Sequence, residues 1–272
     1  MQDLRFIHLT DLHLSDPARS DPHLNADTVA ALEGCIEVIN AMAPQPDFVV
    51  ASGDLVNLGD EGSYRLLRRM MSGLRAPVLY ALGNHDDRAA FRRVFAPDGA
   101  APEAPFIHEA AFGPLDVITL DSSVKGRVGG ALCEAQFAFL EAALARRPER
   151  AKLLIVHHPP RTDPEALVWE SLDAADSERL GDMIEGRNVA GILSGHIHFN
   201  RIAHWRGVPA ITVTGLHSTV DLLDQTDMRI EKGTGFGLCA LRPSGLSVAF
   251  APLTPARHVV KTIPAGVLKQ FR

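Results

Sequence analysis

The sequence predicts an α/β protein, and three observations carry that expectation. Short aliphatic runs at residues 4–9, 48–51, 78–81, 117–120, 153–156 and 189–193 mostly lack polar alternation. Strands buried on both faces read this way. Helical spacing lies between several of these runs, so the order strand–helix–strand–helix predicts parallel crossovers. Each run also ends in a small or polar cluster, as strand-to-loop junctions do.

The elements follow in order. Val29, Leu32, Ile36 and Ile39 repeat at helical spacing after Asp27-Thr28 and before Pro44. This predicts a helix capped by a short polar side chain. Leu66, Leu67, Met70, Met71 and Leu74 predict a second helix, with the methionines in its core. Residues 136–144 and 178–184 predict two more. Beyond about residue 193 the character changes. Residues 211–213, 237–241 and 246–250 read as strands, with a turn at Arg242-Pro243-Ser244-Gly245. The last third is therefore expected to be β-rich and antiparallel. Residues 96–105 and 220–235 predict loops over a site. No repeat, linker or charge block divides the chain, so residues 1–272 are expected to form a single domain with a small cap over its site.

Composition narrows the function. Of 272 residues, 46% are hydrophobic, 22% charged and only 6% aromatic. A large aliphatic core is available and bulk disorder is excluded. Lys and Arg number 27 against 33 Asp and Glu, a net charge of −6. Such a chain is poorly suited to gripping polymeric nucleic acid through its phosphates. No basic leader with an apolar run opens the chain, and no stretch is long enough to span a membrane. Cys35, Cys133 and Cys239 form neither a disulfide framework nor a zinc pattern, and are expected to be buried small hydrophobes. A cytoplasmic setting follows. Against this plain background stand 12 histidines.

Half of those histidines sit in the clusters after the strands. Asp11-Leu12-His13 follows the first run and Gly53-Asp54-Leu55-Val56-Asn57 the second. Gly83-Asn84-His85-Asp86 follows the third. His157-His158-Pro159 and Gly195-His196-Ile197-His198 follow the fifth and sixth. In open α/β sheets the carboxyl ends of strands converge on the ligand. Imidazole, carboxylate and amide oxygen are metal ligands of intermediate hardness. In D-x-H and H-x-H, alternate residues of an extended segment face one side. The set exceeds what one ion needs and suits two ions sharing a carboxylate, the device used for in-line attack on phosphorus. The glycines at 53, 83 and 195 are expected to let the backbone turn sharply there.

Taken in this order, D-x-H, G-D, G-N-H-D, H-x-P and G-H-x-H resemble the motifs of the calcineurin-like metallophosphoesterases. Turn chemistry alone explains several of these clusters singly; their joint order does not. The resemblance implies a four-layer αββα sandwich with a dinuclear centre. By position it implies Asp11, His13 and His198 at one metal, Asn84, His157 and His196 at the other, and Asp54 as the bridge. His157 is preferred to His158 because the family shows His-x-Pro. His85 resembles the histidine that meets the phosphate. Asn57 and His217 are candidate substrate contacts. His8 is expected to be a satisfied interior residue, and His23, His108, His204 and His258 to be surface or structural.

Residues 53–59 read GDLVNLG and lack the Asp-Arg pair of the protein phosphatases. The pattern is similar to the class III cyclic-nucleotide phosphodiesterases and the glycerophosphodiesterases of that group. The expected activity is hydrolysis of a small phosphodiester, a 3′,5′- or 2′,3′-cyclic nucleotide first, by a metal-bridging hydroxide without a covalent intermediate. A glycerophosphodiester is the main alternative. A phosphomonoesterase, a pyrophosphohydrolase and a non-catalytic metal-holding scaffold stand behind it. A helical HD-type hydrolase built on His85-Asp86 conflicts with the strand expected before it. The cofactor is expected to be two divalent or mixed-valence ions drawn from Fe, Mn, Zn and Co. The partner is a small anionic diester, with self-association left open.

Overall fold

Two sheets are laid down one after the other along the chain. The chain enters on β1 (Leu4–Leu9), crosses through α1 (Thr28–Ala41) to β2 (Phe48–Ser52), and through α2 (Glu61–Met71) to β3 (Val78–Ala81). These three strands pair in parallel. After α3 (Arg88–Phe95), the hairpin β4 (His108–Phe112) and β5 (Leu115–Thr119) begins the second sheet. It continues through α4 (Glu134–Ala145), β6 (Ala151–Ile155), a 3₁₀ turn at Val168–Glu170, α5 (Ala174–Ile184) and β7 (Val189–Ser194). The hairpin β8 (Arg201–Trp205) and β9 (Val208–Thr212) completes it, giving the order β4-β5-β6-β7-β9-β8. After β10 (Thr219–Val220) and β11 (Met228–Glu231), β12 (Gly235–Arg242) and β13 (Gly245–Pro252) return to the first sheet. There β12 lies antiparallel to β1, giving the order β13-β12-β1-β2-β3. Finally β14 (Val259–Ile263) joins β10 and β11 in a three-stranded sheet, and α6 (Ala265–Leu268) follows. This computed structural model describes residues 3–95, 99–224, 226–253 and 259–269.

Strand alternation sorts the core into three layers of contact. Phe6, Phe48 and Val50 of the first sheet meet Val117, Leu153, Ile155 and Leu193 of the second. Their sequence neighbours point the other way. Ile7, Leu9, Val49 and Ala51 pack on Leu32, Ile39, Tyr64 and Leu67 of the first helical layer. Ile118, Leu154 and Ile192 pack on Phe137, Leu140, Leu180 and Ile184 of the second. The result is the expected αββα sandwich. Both faces of each sheet are covered, so the central strands are largely apolar, with His8, Asp116 and Lys152 among the buried polar exceptions.

The cap on α1 is as expected: Asp27 accepts a hydrogen bond from the Ala30 amide. Several strands begin two or three residues earlier than their apolar runs. Leu120, Val156 and Val213 are fully buried but lie past the ends of their strands, so burial outlasts pairing. The region expected as loop over 220–235 contains β11; of 96–105, residues 96–98 lie outside the described residues, and the carbonyls of Ala104 and Pro105 accept from Arg92 of α3. Cys133 corrects the expectation of three buried cysteines. It is exposed, because it sits just before α4 and turns to solvent, whereas Cys35 and Cys239 are buried. No helix among the described residues is long and apolar enough to cross a membrane.

Candidate active site

The loops leaving β1 and β2 run side by side and extend the parallel pairing. The Asp11 amide donates to the Gly53 carbonyl at 3.0 Å and the His13 amide to the Asp54 carbonyl at 2.9 Å. The two sheets are tied at the same level, where the His196 amide donates to both Asp11 carboxylate oxygens at 3.1 Å. Asp11, His13, Asp54, His196 and His198 all have positive φ, from 42° to 74°. Only two other non-glycine residues in the described chain do, Arg147 and Arg206. Left-handed backbone is unfavourable for such residues and concentrates where function demands a geometry.

The glycines contribute in two ways rather than the one expected. Gly53 does adopt a positive φ of 111°. Gly83 and Gly195 are not in that region; what they provide is space. A Cβ on Gly83 would fall on Asp54 Oδ1, and one on Gly195 on Thr10 Oγ1.

The expected ligand residues gather in two groups. In the first, His198 Nε2 lies 3.2 Å from Asp11 Oδ1 and 3.2 Å from His13 Nε2. Asp54 Oδ2 is 3.6 Å from His13 Nε2. The same oxygen is 3.3 Å from His157 Nε2 in the second group. Asp54 thus stands between the two, as a shared carboxylate must. His157 and His196 cluster in the second group together with His158. Asn84 lines the same cavity.

Outer partners fix which nitrogen faces inward. A backbone carbonyl can only accept, so His157 Nδ1 donates to Ser52 O at 3.0 Å, and in the neutral ring Nε2 carries the lone pair. His196 Nε2 donates to Trp169 O at 2.6 Å, leaving Nδ1 free to bind. His85 Nδ1 donates to Asn57 O at 2.9 Å. His13 Nδ1 is paired with Asn57 Oδ1 at 2.9 Å, and the Asn57 amide is oriented by Asp21 Oδ2 at 2.8 Å. Asp21, a carboxylate, can only accept, so Oδ1 must face His13. His198 Nδ1 pairs with Ser218 Oγ at 3.1 Å. Such outer contacts orient metal-binding histidines.

Lone pairs therefore face lone pairs. His157 Nε2 and Asn84 Oδ1 are buried without a hydrogen-bond partner. Buried polar atoms are almost always satisfied, and a cation at each group would satisfy them. The donor set, imidazole with carboxylate and amide oxygen, fits such ions. The titration behaviour agrees. Burial would raise both carboxyls, but the neighbouring histidines hold Asp11 and Asp54 below the usual carboxylate range. Burial would lower His157, yet Asp54 overcomes it and pushes the group up to about 9. Asp11 raises His198 in the same way. Burial pushes His196 and His217 down to about 4. Positive charge is thus favoured at His157 and His198, as a second ring proton or as a bound cation, while burial keeps His13, His196 and His217 neutral.

The remaining candidates are placed differently. His158 has both nitrogens engaged, Nδ1 with Ser122 Oγ at 2.7 Å and Nε2 with Val128 O at 2.9 Å. His217 accepts from the Asn25 amide at 3.3 Å, contacts Ser218 Oγ and lies 4.7 Å from the His13 ring. Asn57 lines the cavity but turns its side chain to His13 and Asp21. His8 pairs with Ser52 Oγ at 2.8 Å. His108 contacts Tyr80 O. His204 is exposed, His23 is exposed at the cavity, and His258 lies outside the described residues. His85 is exposed and lines a cavity of about 340 Å³ above the two groups. Val220, Met228 and Ile230 form part of its wall.

Sequence reasoning missed Asp21, Ser218 and the carbonyls of Ser52 and Trp169. It also missed Asp86, whose carboxylate accepts from the amides of Gly83, Leu55 and Val56 and from the Tyr64 hydroxyl. That pins the loops bearing Asp54 and Asn84 together. Backbone carbonyls leave no sequence signal; the D of G-N-H-D was the available clue to Asp86.

A two-sheet sandwich with paired histidine–carboxylate groups at its strand ends defines a class of metal-binding hydrolase folds. The family model described as calcineurin-like phosphoesterase matches residues 4–200, and the chain belongs to that family. It is 32% identical over 226 residues to a cAMP/cGMP dual specificity phosphodiesterase of Mycobacterium tuberculosis, covering 81% of this chain and 70% of the relative. It is 30% identical over 228 residues to glycerophosphodiester phosphodiesterase GpdQ of Enterobacter lignolyticus, covering 78% and 76%. The fold matches a dimetal phosphatase from Danio rerio with a TM-score of 0.69 at 15% identity, covering 96% of this chain and 98% of that one.

Proposed function

We propose that this chain is a metal-dependent phosphodiesterase that hydrolyses a small diester, a cyclic nucleotide first. The observation that carries the reading is Asp54 Oδ2 standing 3.6 Å from His13 Nε2 and 3.3 Å from His157 Nε2, between two groups of inward-facing acceptors. Asp11, His13 and His198 would hold one ion, Asn84, His157 and His196 the other, and Asp54 both. Two such ions supply a water of lowered pKa and positive charge beside the phosphoryl oxygens.

The chain's own groups do the rest. Asn57 O fixes the His85 ring so that Nε2 points away from its anchor, toward the cavity where a leaving oxygen would need a proton or a hydrogen bond. Ser52, Trp169 and Asn57 hold the ligand rings in one tautomer, so none must reorganise during the reaction. The wall formed by Val220, Met228 and Ile230 limits water above the phosphate and acts as a small cap. A cytoplasmic setting suits three unpaired cysteines.

The test is a kinetic panel on Mn-loaded protein: 3′,5′- and 2′,3′-cyclic nucleotides, glycerophosphodiesters, and 4-nitrophenyl phosphate as the monoester. Diester turnover that tracks metal content and exceeds monoester turnover supports the reading. A fully loaded protein inert to all diesters favours the scaffold alternative. Inversion at a chiral phosphorothioate is expected; retention would exclude direct attack by water.

A further inference from the structure

A second cleft, of about 310 Å³, adjoins the histidine cavity. The two share Trp169, Ile197, Val220 and Met228 as walls. Phe199 and Leu222 line only the second. The chain path explains why they adjoin. In His196-Ile197-His198-Phe199 the histidines line the first cavity, while the residues between and after them line the second. Trp169 is locked to the same loop, since its carbonyl accepts from His196 Nε2 at 2.6 Å. The cleft is thus built from the segments that place the metal-binding rings.

We propose that this cleft receives the nucleobase of a nucleotide diester whose phosphate lies over the histidine groups. The proposal rests on the phosphodiesterase reading above and names its organic substituent. Indole and phenyl side chains with aliphatic walls suit a flat heterocycle, whose stacking tolerates any base. Each cavity is near the lower end of the roughly 300–1,000 Å³ usual for ligand sites, as two halves of one ligand require. Glu170, Asp221, Asp224 and Asp227 stand at the cleft against one lysine, Lys269. Carboxylates there repel a second phosphate, and Glu170 is placed to accept from the amino group of a base.

A cationic headgroup is the competing occupant, because aromatic and acidic groups together also suit quaternary ammonium. The structure favours the neutral base. The guanidinium of Arg201 already lies 5.8 Å from the Phe199 ring centre. Asp224 is paired with Arg229 at 2.8 Å, and Asp221 accepts from the Leu223 amide at 2.9 Å. The chain's own cations and amides thus occupy much of what a headgroup would use.

Phe199→Leu, at a residue that lines only the second cleft, tests this in the full-length, Mn-loaded protein, with 3′,5′-cyclic AMP and glycerophosphocholine as substrates. The expected result is a KM for cyclic AMP raised about tenfold, consistent with the loss of one stacking face, with kcat within about twofold. Glycerophosphocholine kinetics should stay within about twofold. Equal losses on both substrates would mean that the variant disturbs the neighbouring His196 and His198, and would overturn the proposal. So would unchanged cyclic AMP kinetics, or a loss confined to glycerophosphocholine. The chain has two tryptophans, Trp169 and Trp205, so Trp205→Phe leaves Trp169 as the sole indole reporter. Adenosine 5′-monophosphate should then change its emission saturably, and glycerol 3-phosphate should not. No change with the nucleotide overturns the cleft assignment even if the protein turns over no diester, an outcome that would separately sink the phosphodiesterase reading.

Discussion

Buried polar clusters occupy both ends of β5 and β6, and they differ in one respect. At the amino ends, Asp116 and Lys152 are almost fully buried. Lys152 Nζ donates to Asp116 Oδ2 at 2.6 Å and to the carbonyls of Arg146 and Arg147 at 2.7 and 3.0 Å. Arg150 Nε donates to the other Asp116 oxygen at 2.8 Å. Charges are opposite, and all three ammonium protons are used. At the carboxyl ends, the one proton of a neutral His157 ring is held by Ser52 O, so Nε2 meets Asp54 Oδ2 at 3.3 Å acceptor to acceptor until a second proton or a cation comes between them. A cluster that closes on itself holds a fold together. A cluster of acceptors left facing each other is arranged around something positive.

The sharpest way to break this contrast is Asp54→Ala. It should remove the shared carboxylate and lower turnover by on the order of 10³, with metal stoichiometry falling in step and the urea midpoint little changed. Retained metal and activity would deny Asp54 its place. Asp116→Ala should do the reverse. It strands the buried Lys152 ammonium and should cost about 3 kcal/mol of stability in urea unfolding, with kcat per folded molecule unchanged.

His85→Ala sharpens the description of the open cluster. Both ions should stay bound while kcat falls by about 10²; loss of metal would make His85 a ligand instead. Asn57→Ala acts one contact further out. Freed of its partner, His13 should bind the first ion about tenfold less tightly, read by competition with a chelator, with activity restored by excess metal. The smallest effect concerns acid. Burial would raise the Asp116 carboxyl, but hydrogen bonds and charge from Lys152 and Arg150 hold it below its usual range. Its stabilisation is therefore present above the ordinary carboxylate range and lost as pH falls through the lowered value. The gap in urea midpoint between the parent protein and Asp116→Asn should narrow in that acid range only.

Much of this was legible in residue order. Aliphatic runs marked most central strands, because strands covered on both faces are largely apolar. The edge strands β4 and β8 escaped notice, since His108–Phe112 is Ala-rich and Arg201–Trp205 mixes polar and apolar residues without a period at a half-exposed edge. The helix α3 was hidden by three arginines in eight residues. In the site, the ligand motifs were visible because each carries its chemistry in adjacent letters. Their supports were not: Asp21 lies 36 residues from the Asn57 it orients, and Ser218 lies 20 from His198.

Sequence alone determined the inventory: which side chains stand at the strand ends, and that imidazole, amide and carboxylate dominate there. Those facts depend on local spacing, which the chain carries in one dimension. Tertiary structure decided which nitrogen of each ring faces inward, that Asp54 lies between the two groups, and that Trp169 and Phe199 build a cleft beside them. Those depend on distances between segments far apart in the chain, and only the packing of one sheet on the other sets them.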